Sequence, residues 1–337
     1  MPLNELRIVL CYPVEPRHVA EIQAAAPDCE IVDAGQSGIA REILHADLFC
    51  GHAKVPVPWD EVVKAGRLRW IQSSAAGLDH CLVPEVIASD IVVSSASGLF
   101  ADQVAEQTLT LLLGLIRRGP DFFRGQQARR FERLPTDDLH GKTVGIVGFG
   151  GNGRRLAEVL STFRVRMLAT DLFPIQKPDY VEQLWPASRL DDLLAESDIV
   201  ILCLPLNDDT FHLIDAGKFA RMKPGSYFVN VARGQVVREV DLVQALASGH
   251  LVAAGLDVTE VEPLPATSPL WDFPQVLITP HIGAQAWDRV DVTTTFFCEN
   301  LARYRAGEPL WNQVDKRLGF PRPEDHAGLK PKSPTVG

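Results

Sequence analysis

The fold is decided by the stretch Lys142-Thr143-Val144-Gly145-Ile146-Val147-Gly148-Phe149-Gly150-Gly151-Asn152-Gly153, near the middle of the chain. Its first part, Thr143–Val147, is apolar and rich in β-branched residues, a pattern typical of a buried parallel strand. Gly148, Gly150 and Gly153 then follow with the spacing G-x-G-x-x-G. Residues 154–163 carry apolar side chains at helical spacing. The stretch therefore predicts a strand, a tight glycine turn and a helix in direct succession.

A second strand pattern, residues 165–170, ends at Asp171. Glycines in such a turn let the backbone approach a pyrophosphate, which then lies at the N-terminus of the helix. An acid at the end of the second strand can accept hydrogen bonds from the hydroxyls of the adenosine ribose. The glycine motif alone is weak evidence. Strand, turn, helix, strand and acid together predict a dinucleotide-binding domain.

Length and composition indicate a globular protein of two domains. The chain has 337 residues, of which 46% are hydrophobic and 23% charged, both ordinary values. A net charge of −10 argues against a nucleic acid or an anionic membrane as the main partner. No signal-peptide pattern is present, and the longest apolar stretch is too short to span a bilayer. We therefore expect a cytoplasmic protein.

The six cysteines lie far apart in the sequence and form no C-x-x-C pair. Several of them fall inside apolar, strand-like runs. We therefore expect buried thiols in a reducing compartment, and neither disulfides nor a metal site.

The first hundred residues alternate strand-like and helix-like patterns, which predicts a parallel sheet with helices on both faces. The loop Ser73-Ser74-Ala75-Ala76-Gly77-Leu78-Asp79 follows a strand, and its small residues leave backbone N–H groups accessible to a carboxylate. An ordinary strand-to-helix turn is the alternative. Residues 103–118 predict a long buried helix between the two units, with Gly119-Pro120 as its end. The arginine-rich segment 121–140 favours a solvated or oligomer-facing surface over a phosphate site.

Beyond Asp171 the sequence continues to alternate strand-like and helix-like patterns. We expect helices around residues 190–195, 210–222 and 238–248, and strands at 198–204, 226–231, 251–258 and 276–279. Ligands in open α/β sheets bind beyond the carboxyl ends of the strands. Arg233, Asp257, Glu262 and His281 all lie at or just after such ends. We therefore expect them to face one crevice together with residues 148–153.

Arg233, Glu262 and His281 make a coherent set for hydride transfer between NADH and a 2-oxo acid. The developing alkoxide needs a proton donor, a role for which histidine is suited. A neighbouring carboxylate, Glu262, would orient the ring and favour its protonated form. The Arg233 guanidinium can hold the substrate carboxylate and polarise the adjacent carbonyl. For His281 considered alone, a surface or structural role is the alternative.

At these positions the chain resembles the D-isomer-specific 2-hydroxyacid dehydrogenase family. The matching pieces are Gly148–Gly153, Asp171, Asn230-Val231-Ala232-Arg233-Gly234, Gly255-Leu256-Asp257-Val258, Glu262-Pro263 and Pro280-His281-Ile282-Gly283-Ala284. The resemblance implies an α/β fold of two doubly wound parallel-sheet domains, with a Rossmann nucleotide-binding domain inserted in a flavodoxin-like substrate domain. It implies a substrate-binding domain at residues 1–101 with a return helix in 286–318, an NAD-binding domain at 102–285 and a tail at 319–337. Residues 284–305 have the pattern of the return helix.

The resemblance also implies a role for each matching residue. Arg233 would bind substrate, Glu262 would pair with the histidine, and His281 would donate the proton. Asp257 matches the acid that contacts the nicotinamide carboxamide. The amides of Ala76 and Gly77 match those that hold the substrate carboxylate. Cofactor contacts are implied for Gly148, Gly150, Gly151, Asn152, Gly153, Asp171, Leu204, Pro205, Val231, Ala232, Asp257, His281, Gly283 and Ala284.

Some positions depart from the family's pattern. Cys203-Leu204-Pro205-Leu206 lacks a histidine that many members carry, and Asn152 replaces a common aliphatic residue. We expect both to be compatible with cofactor binding. The tail, residues 319–337, is rich in proline and poor in large apolar residues, which predicts a segment that is mobile or lies along the surface.

Cofactor and substrate predictions follow from single residues. Asp171 would repel a 2′-phosphate and has no adjacent arginine, which predicts NAD rather than NADP. Glu262 argues against formate, because formate dehydrogenases of the family carry glutamine there. Residues 99–106 are similar to those of glyoxylate/hydroxypyruvate reductases.

The family implies a homodimer. The alternative function is a non-catalytic NAD-sensing protein, like the corepressors that share this fold and retain the Arg/Glu/His set.

Overall fold

The computed structural model describes residues 6–173 and 175–326, which form two compact units. The terminal unit consists of residues 6–99 and 286–326, and the central unit of residues 100–285. Each unit is built on one parallel β-sheet. The central unit is therefore an insertion in the sequence of the terminal unit.

The terminal unit begins with five strands that alternate with four helices. These are β1 (Arg7–Cys11), α1 (Pro16–Ala25), β2 (Glu30–Asp33), α2 (Gly35–Glu42), β3 (Leu48–Gly51), α3 (Trp59–Ala65), β4 (Trp70–Ser73), α4 (Pro84–Ala88) and β5 (Val92–Ser94). All strand pairs are parallel, in the order β2-β1-β3-β4-β5. This is the flavodoxin-like order, so the predicted fold of this unit is confirmed.

The central unit carries the glycine motif in a seven-stranded sheet. Its elements are α5 (Ala101–Ile116), α6 (Gly119–Gln127), β6 (Thr143–Val147), α7 (Gly151–Leu160), β7 (Arg166–Asp171), β8 (Gln183–Pro186), α8 (Leu190–Glu196), β9 (Ile199–Leu202), α9 (Ala216–Arg221), β10 (Ser226–Asn230), α10 (Glu239–Ala247), β11 (Leu251–Leu256) and β12 (Val276–Ile278). The parallel order is β12-β11-β10-β9-β6-β7-β8. The chain runs outward from β6 through β7 and β8, then returns to the other side of β6 at β9. The carboxyl ends of β6 and β9 thus flank the switch point at which such sheets bind ligands.

The chain then returns to the terminal unit with α11 (Arg289–Ala306) and a short hairpin, β13 (Val314–Asp315) and β14 (Phe320–Pro321). Phe297 and Leu301 of α11 are fully buried in a cluster that also contains Ile8 of β1 and Trp70 of β4. The apolar side of α11 is therefore part of the core of this unit.

Burial on both faces of the sheets explains why the strands are continuously apolar. All residues of β6 and of β9 are buried. Residues of α5 and α7 cover one face of the central sheet, and residues of α8, α9 and α10 cover the other. The sheet edge that carries the functional loops is thus held by a core on each side.

All six cysteines are free thiols, and four of them are buried. The two others, Cys203 and Cys298, are half-buried. Among the helices of residues 6–173 and 175–326, none is both long enough and apolar enough to cross a membrane.

The predicted helix at residues 210–222 is wrong over its first half. Only Ala216–Arg221 is helical. Ile214 instead forms a parallel bridge with Val237, and the Asp215 carboxylate caps the helix by accepting the N–H of Lys218 at 3.0 Å. The bridge fixes Ile214 in an extended conformation, so the helix begins only after it, at Ala216.

Other differences concern the start and end of elements. Arg118 has a φ of 56°, and the chain enters α6 at Gly119, where the sequence predicted only a helix end. The edge strand β8 was not predicted, because its residues are half-buried or exposed. The return helix begins at Arg289 rather than at residue 284.

The tail begins as ordered structure. Pro321 pairs with Val314, and Phe320 with Asp315, in an antiparallel hairpin that the sequence did not predict. Residues 327–337 lie outside the described residues.

Candidate active site

The three glycines of the motif serve three different purposes. Gly148 has a φ of +92°, and an added Cβ would lie 2.8 Å from the backbone N of Leu204. At Gly153 an added Cβ would lie 2.2 Å from the carbonyl oxygen of Gly148. At Gly150 it would meet nothing within 4 Å. The first glycine therefore makes the turn, the third packs helix on strand, and the second leaves open space for a ligand.

The N-terminus of α7 opens directly behind this space. The helix begins at Gly151, and its first turn has no acidic residue and no side chain that caps it. Gly151 and Asn152 are half-buried there. The first N–H groups of a helix lack partners within the helix and favour an anion. The turn therefore fits the pyrophosphate of a dinucleotide.

Asp171, at the end of β7, is fixed against the glycine turn. Its Oδ2 accepts the backbone N–H of Phe149 at 2.7 Å, and its Oδ1 accepts that of Phe173 at 3.0 Å. The carboxylate is half-buried. These bonds hold a negative charge beside the turn, where the ribose of a bound dinucleotide belongs.

The segment after β9 lines the other side of the switch point. The N–H of Cys203 donates to the carbonyl of Val147 at 2.8 Å, and Leu204 and Pro205 follow as half-buried residues. Burial raises the pKa of the Cys203 thiol to about 12. At neutral pH the Cys203 thiol is therefore uncharged.

Arg233 is positioned by the buried side chain of Asn230, at the end of β10. The Oδ1 of Asn230 accepts the N–H of Ala232 at 3.0 Å, and its Nδ2 donates to the carbonyl of Arg233 at 3.0 Å. At Gly234 an added Cβ would lie 1.8 Å from the carbonyl oxygen of Thr259. Backbone contact therefore brings Arg233 beside the loop that leads to Glu262.

Glu262 and His281 form a hydrogen-bonded pair across two loops. The Oε2 of Glu262 lies 2.8 Å from Nδ1 of His281, and its Oε1 accepts the N–H of Thr259 at 3.2 Å. The side chains are 37% and 43% exposed. With Nδ1 donating to the carboxylate, Nε2 makes no hydrogen bond within the described chain.

The positive charge of Arg233 affects the pKa of Glu262 in this pair. Burial raises the pKa of Glu262, but the hydrogen bond and charge of His281, with the charge of Arg233, outweigh that effect. The pKa of Glu262 therefore lies below the ordinary glutamate value, and the group is a carboxylate at neutral pH. The structure thus brings together the three residues that the sequence singled out.

Asp257 builds the turn that carries His281. Its carboxylate is 2% exposed and accepts hydrogen bonds from Thr279 Oγ1 at 2.7 Å, Ile282 N at 3.0 Å and Gly283 N at 2.8 Å. The N–H of His281 also donates to the Asp257 carbonyl at 2.8 Å. These bonds give Asp257 an organising role, while its contact with a nicotinamide carboxamide stays a prediction.

Several supporting residues had no assigned role in the sequence. Gln107 of α5 donates to Thr279 Oγ1 at 2.8 Å, 172 positions away, and nothing in its local pattern indicates this. Thr259 and Asn230 hold the loops described above, and Asn230 could have been suspected from its place in the Asn-Val-Ala-Arg-Gly motif.

Ala76 and Gly77 belong to the terminal unit, whereas Arg233, Glu262 and His281 belong to the central unit. Ala76 is exposed and Gly77 half-buried. Among the hydrogen bonds of residues 6–173 and 175–326, none uses the N–H of either residue. Their contact with a substrate carboxylate stays a prediction.

A family model agrees with this reading of the central unit. Residues 109–283 match the model described as D-isomer specific 2-hydroxyacid dehydrogenase, NAD binding domain. The match includes the glycine motif, Asp171 and the three residues of the candidate catalytic set.

Known proteins resemble the chain over most of its length. It is 34% identical over 276 residues to a glyoxylate reductase of Thermofilum pendens, covering 79% of this chain and 80% of that one. It is 32% identical over 306 residues to the glyoxylate reductase/hydroxypyruvate reductase of Mus musculus, covering 86% and 92%. A solved D-isomer specific 2-hydroxyacid dehydrogenase from Xanthobacter autotrophicus Py2, in complex with NADPH and MES, superposes with a TM-score of 0.80 at 31% identity, covering 93% and 99%.

Proposed function

Because the chain belongs to the D-isomer specific 2-hydroxyacid dehydrogenase family, we propose that it reduces a small 2-oxo acid to the D-2-hydroxy acid with Arg233, Glu262 and His281 as its catalytic set. Hydride transfer between a nicotinamide cofactor and a small hydroxy acid is the activity of this oxidoreductase. One observation carries the residue assignment. It is the 2.8 Å bond from His281 Nδ1 to Glu262, which leaves Nε2 without a hydrogen bond within the described chain.

Each residue then has a defined task in reduction. His281 holds a proton at Nε2 and donates it to the oxygen that was the substrate carbonyl, because the alkoxide that develops there is strongly basic and needs a proton donor. Glu262 keeps the ring oriented by accepting a hydrogen bond from Nδ1 at 2.8 Å. Arg233 binds the carboxylate and polarises the carbonyl. The bound NADH supplies the hydride.

The cofactor would be held by the glycine turn. The amides at the start of α7 would bind the pyrophosphate, with Gly150 leaving the space for it. Asp171 would accept the ribose hydroxyls. Leu204, Pro205, Val231 and Ala232, together with Gly283 and Ala284, would line the nicotinamide end.

We propose NADH rather than NADPH as the cofactor that this chain prefers. Asp171 is fixed by two backbone N–H groups, so its charge cannot easily turn away from a 2′-phosphate. The Xanthobacter relative was solved with NADPH, which makes a direct comparison informative. We expect kcat/KM to be at least about tenfold higher with NADH, and a tenfold preference for NADPH would overturn this assignment.

The first substrates to test are glyoxylate and hydroxypyruvate, after the names of the relatives. A panel that also includes pyruvate and phenylpyruvate measures NADH consumption and the chirality of the product. Turnover with formation of the D-isomer is expected. If NADH binds but no 2-oxo acid is consumed above background, the non-catalytic NAD-sensing alternative is favoured instead.

We also propose that the protein is a homodimer. Phe123 is 63% exposed on α6, and Phe131 in the loop after it is fully exposed. Large apolar side chains that are exposed on a surface favour association. Light scattering coupled to size-exclusion chromatography gives the mass in solution, and a mass of one chain at micromolar concentration would contradict the proposal.

A further inference from the structure

His212 joins the two loops that carry Arg233 and Glu262. Its backbone N–H donates to the carbonyl of Gln235 at 2.8 Å, two residues after Arg233. Its Nε2 lies 2.6 Å from Oε1 of Glu260, two residues before Glu262. An ionised carboxylate only accepts hydrogen bonds, so Nε2 is the donor. One residue therefore contacts both loops, and all five residues lie in the central unit.

Glu260 is also bonded to the start of α10. Its Oε2 accepts the N–H of Glu239, the first residue of that helix, at 2.8 Å. The N–H of Glu260 donates in return to Oε2 of Glu239 at 3.2 Å. The first N–H groups of a helix have no partner within it, and Arg238, the residue before α10, supplies no side-chain cap. Glu260 therefore caps α10 from a distant loop, and the helix holds Glu260 in place.

The loop that carries Glu262 has little apolar packing of its own. Val261 is 57% exposed, and Glu262 and Pro263 are exposed as well. The buried Thr259 donates its N–H to Glu262 at 3.2 Å and its Oγ1 to the carbonyl of Val261 at 2.9 Å. A segment with few buried apolar contacts opens easily unless hydrogen bonds hold it. The position of Glu262 therefore depends on the bonds of Thr259 and Glu260.

The backbone of His212 is in an uncommon conformation. Its φ is 52°, in the left-handed region that residues other than glycine adopt only at a cost in free energy. The ring of Phe211 stacks on the imidazole, with ring centroids 4.0 Å apart. Backbone strain of this kind is concentrated near functional sites. The strain at His212 therefore favours a role connected with the two loops that it contacts.

We propose that His212 is a positioning residue for Glu262 and acts through Glu260. This inference rests on the proposed role of Glu262 as the partner of His281. The bonds of Glu260 and Thr259 fix the loop, which holds the Glu262 carboxylate 2.8 Å from Nδ1 of His281. A small displacement of a catalytic group lowers the rate strongly. Loss of the bond from His212 should therefore lower kcat rather than weaken binding.

The first test is steady-state kinetics of His212→Leu. The leucine cannot donate to Glu260, whereas the backbone N–H that holds the Arg233 loop is kept. We expect kcat to fall by about tenfold, with KM for the 2-oxo acid and the dissociation constant of NADH within about twofold of wild type. A kcat within about twofold of wild type overturns the inference.

His212→Gln is the conservative variant, because its side-chain amide can donate to Glu260 in place of Nε2. It should regain most of the kcat that His212→Leu loses. If it regains nothing, the hydrogen bond does not position Glu262 and the inference is wrong.

His250→Leu is the matched control. His250 is half-buried in the same unit, and its Nε2 bonds the carbonyls of Phe219 and Met222 at 2.8 and 3.0 Å. It precedes β11 and so lies at the sheet edge opposite to Glu262. The control should lower the temperature of unfolding without lowering kcat. A loss of kcat equal to that of His212→Leu overturns the inference.

A double variant tests whether His212 acts through Glu262. In Glu262→Gln the carboxylate that His212 positions is gone, so adding His212→Leu should lower kcat by less than about threefold in that background. A loss of about tenfold in both backgrounds shows a general effect on the fold and overturns the inference. Glu260→Gln tests the same contact from its other side if His212→Leu does not fold. It should lower kcat by about threefold, because the bond loses its charge, and an unchanged kcat counts against the inference.

Hydrogen–deuterium exchange separates this inference from the proposed function, because it needs no turnover. Peptides that contain residues 259–262 should exchange about tenfold faster in His212→Leu than in wild type or His250→Leu. Faster exchange there supports the positioning contact even if wild type reduces no 2-oxo acid. Unchanged exchange overturns the contact even if the enzyme is active.

Discussion

Each unit contains a histidine paired with a carboxylate, and the two pairs behave differently. In the terminal unit, His18 Nε2 lies 2.9 Å from Asp291, and in the central unit, His281 Nδ1 lies 2.8 Å from Glu262. His18 Nδ1 also accepts the N–H of Glu15 at 2.9 Å. Both nitrogens of His18 are thus occupied, and its side chain is 2% exposed, against 43% for His281.

The difference shows that a histidine–carboxylate contact does not identify a catalytic site. His18 closes the N-terminus of α1 and bonds α11, so its proton on Nε2 is committed to structure. His281 uses only Nδ1, and its Nε2 makes no hydrogen bond within the described chain. The first turns of α1 and α7 differ in the same way, since α1 is capped by a side chain and α7 opens behind Gly150.

The largest effect is expected for His281→Asn. Removal of the proton donor should lower kcat by about 10³-fold, while the dissociation constant of NADH changes little, because general acid catalysis contributes on this scale. Steady-state kinetics and NADH fluorescence titration measure the two quantities. A kcat within tenfold of wild type would show that His281 is not the donor.

Glu262→Gln should lower kcat by about 10²-fold, since the His281 ring loses the charged acceptor that orients it through Nδ1. The pair also affects stability. The pKa of Glu262 is lowered in the folded protein, so its stabilisation is present at neutral pH and is lost as pH falls through that lowered value. The difference in free energy of unfolding between wild type and Glu262→Gln should therefore shrink as the pH falls below the ordinary glutamate pKa of about 4.3. A pH-independent difference in urea titrations would contradict this.

Gly150→Ala and Gly153→Ala should separate binding from folding. Gly150 has a φ of −73° and open space at its Cβ position, so the alanine variant should fold normally and raise KM for NADH by about tenfold. A Cβ at Gly153 would lie 2.2 Å from a carbonyl oxygen, and overpacking of this kind costs about 1–3 kcal/mol. Thermal unfolding and cofactor kinetics on both variants are the measurement, and equal loss of stability in the two would refute the distinction.

The smallest effect is expected for His18→Asn. It removes a bond at the N-terminus of α1 and the bond to Asp291, and should lower the free energy of unfolding by about 1 kcal/mol, with kcat retained. This variant is the matched counterpart of His281→Asn. A loss of activity comparable to that of His281→Asn, in a protein that is still folded, would mean that the two pairs are not functionally distinct.

The dinucleotide site and its surroundings were predictable because their signal is local. Strand, glycine turn, helix and acid follow one another within residues 143–171, and each has a physical reason at its own position. Arg233, Glu262 and His281 were found because they follow strand ends, and parallel strand ends share one edge of a sheet. The helix predicted at residues 210–222 was wrong because Ile214 is used by a distant partner, Val237.

What the sequence alone determined was the kind of site, since residue types and their spacing set which turn can form and which groups can bind or donate. The tertiary structure decided which of these groups serve chemistry and which serve structure. Asp257 is buried as the organiser of the His281 turn, His18 is enclosed as a cap, and Arg289 meets Ser74 across 215 positions of sequence. Burial and hydrogen-bond partners depend on how distant segments pack, and no local pattern encodes them.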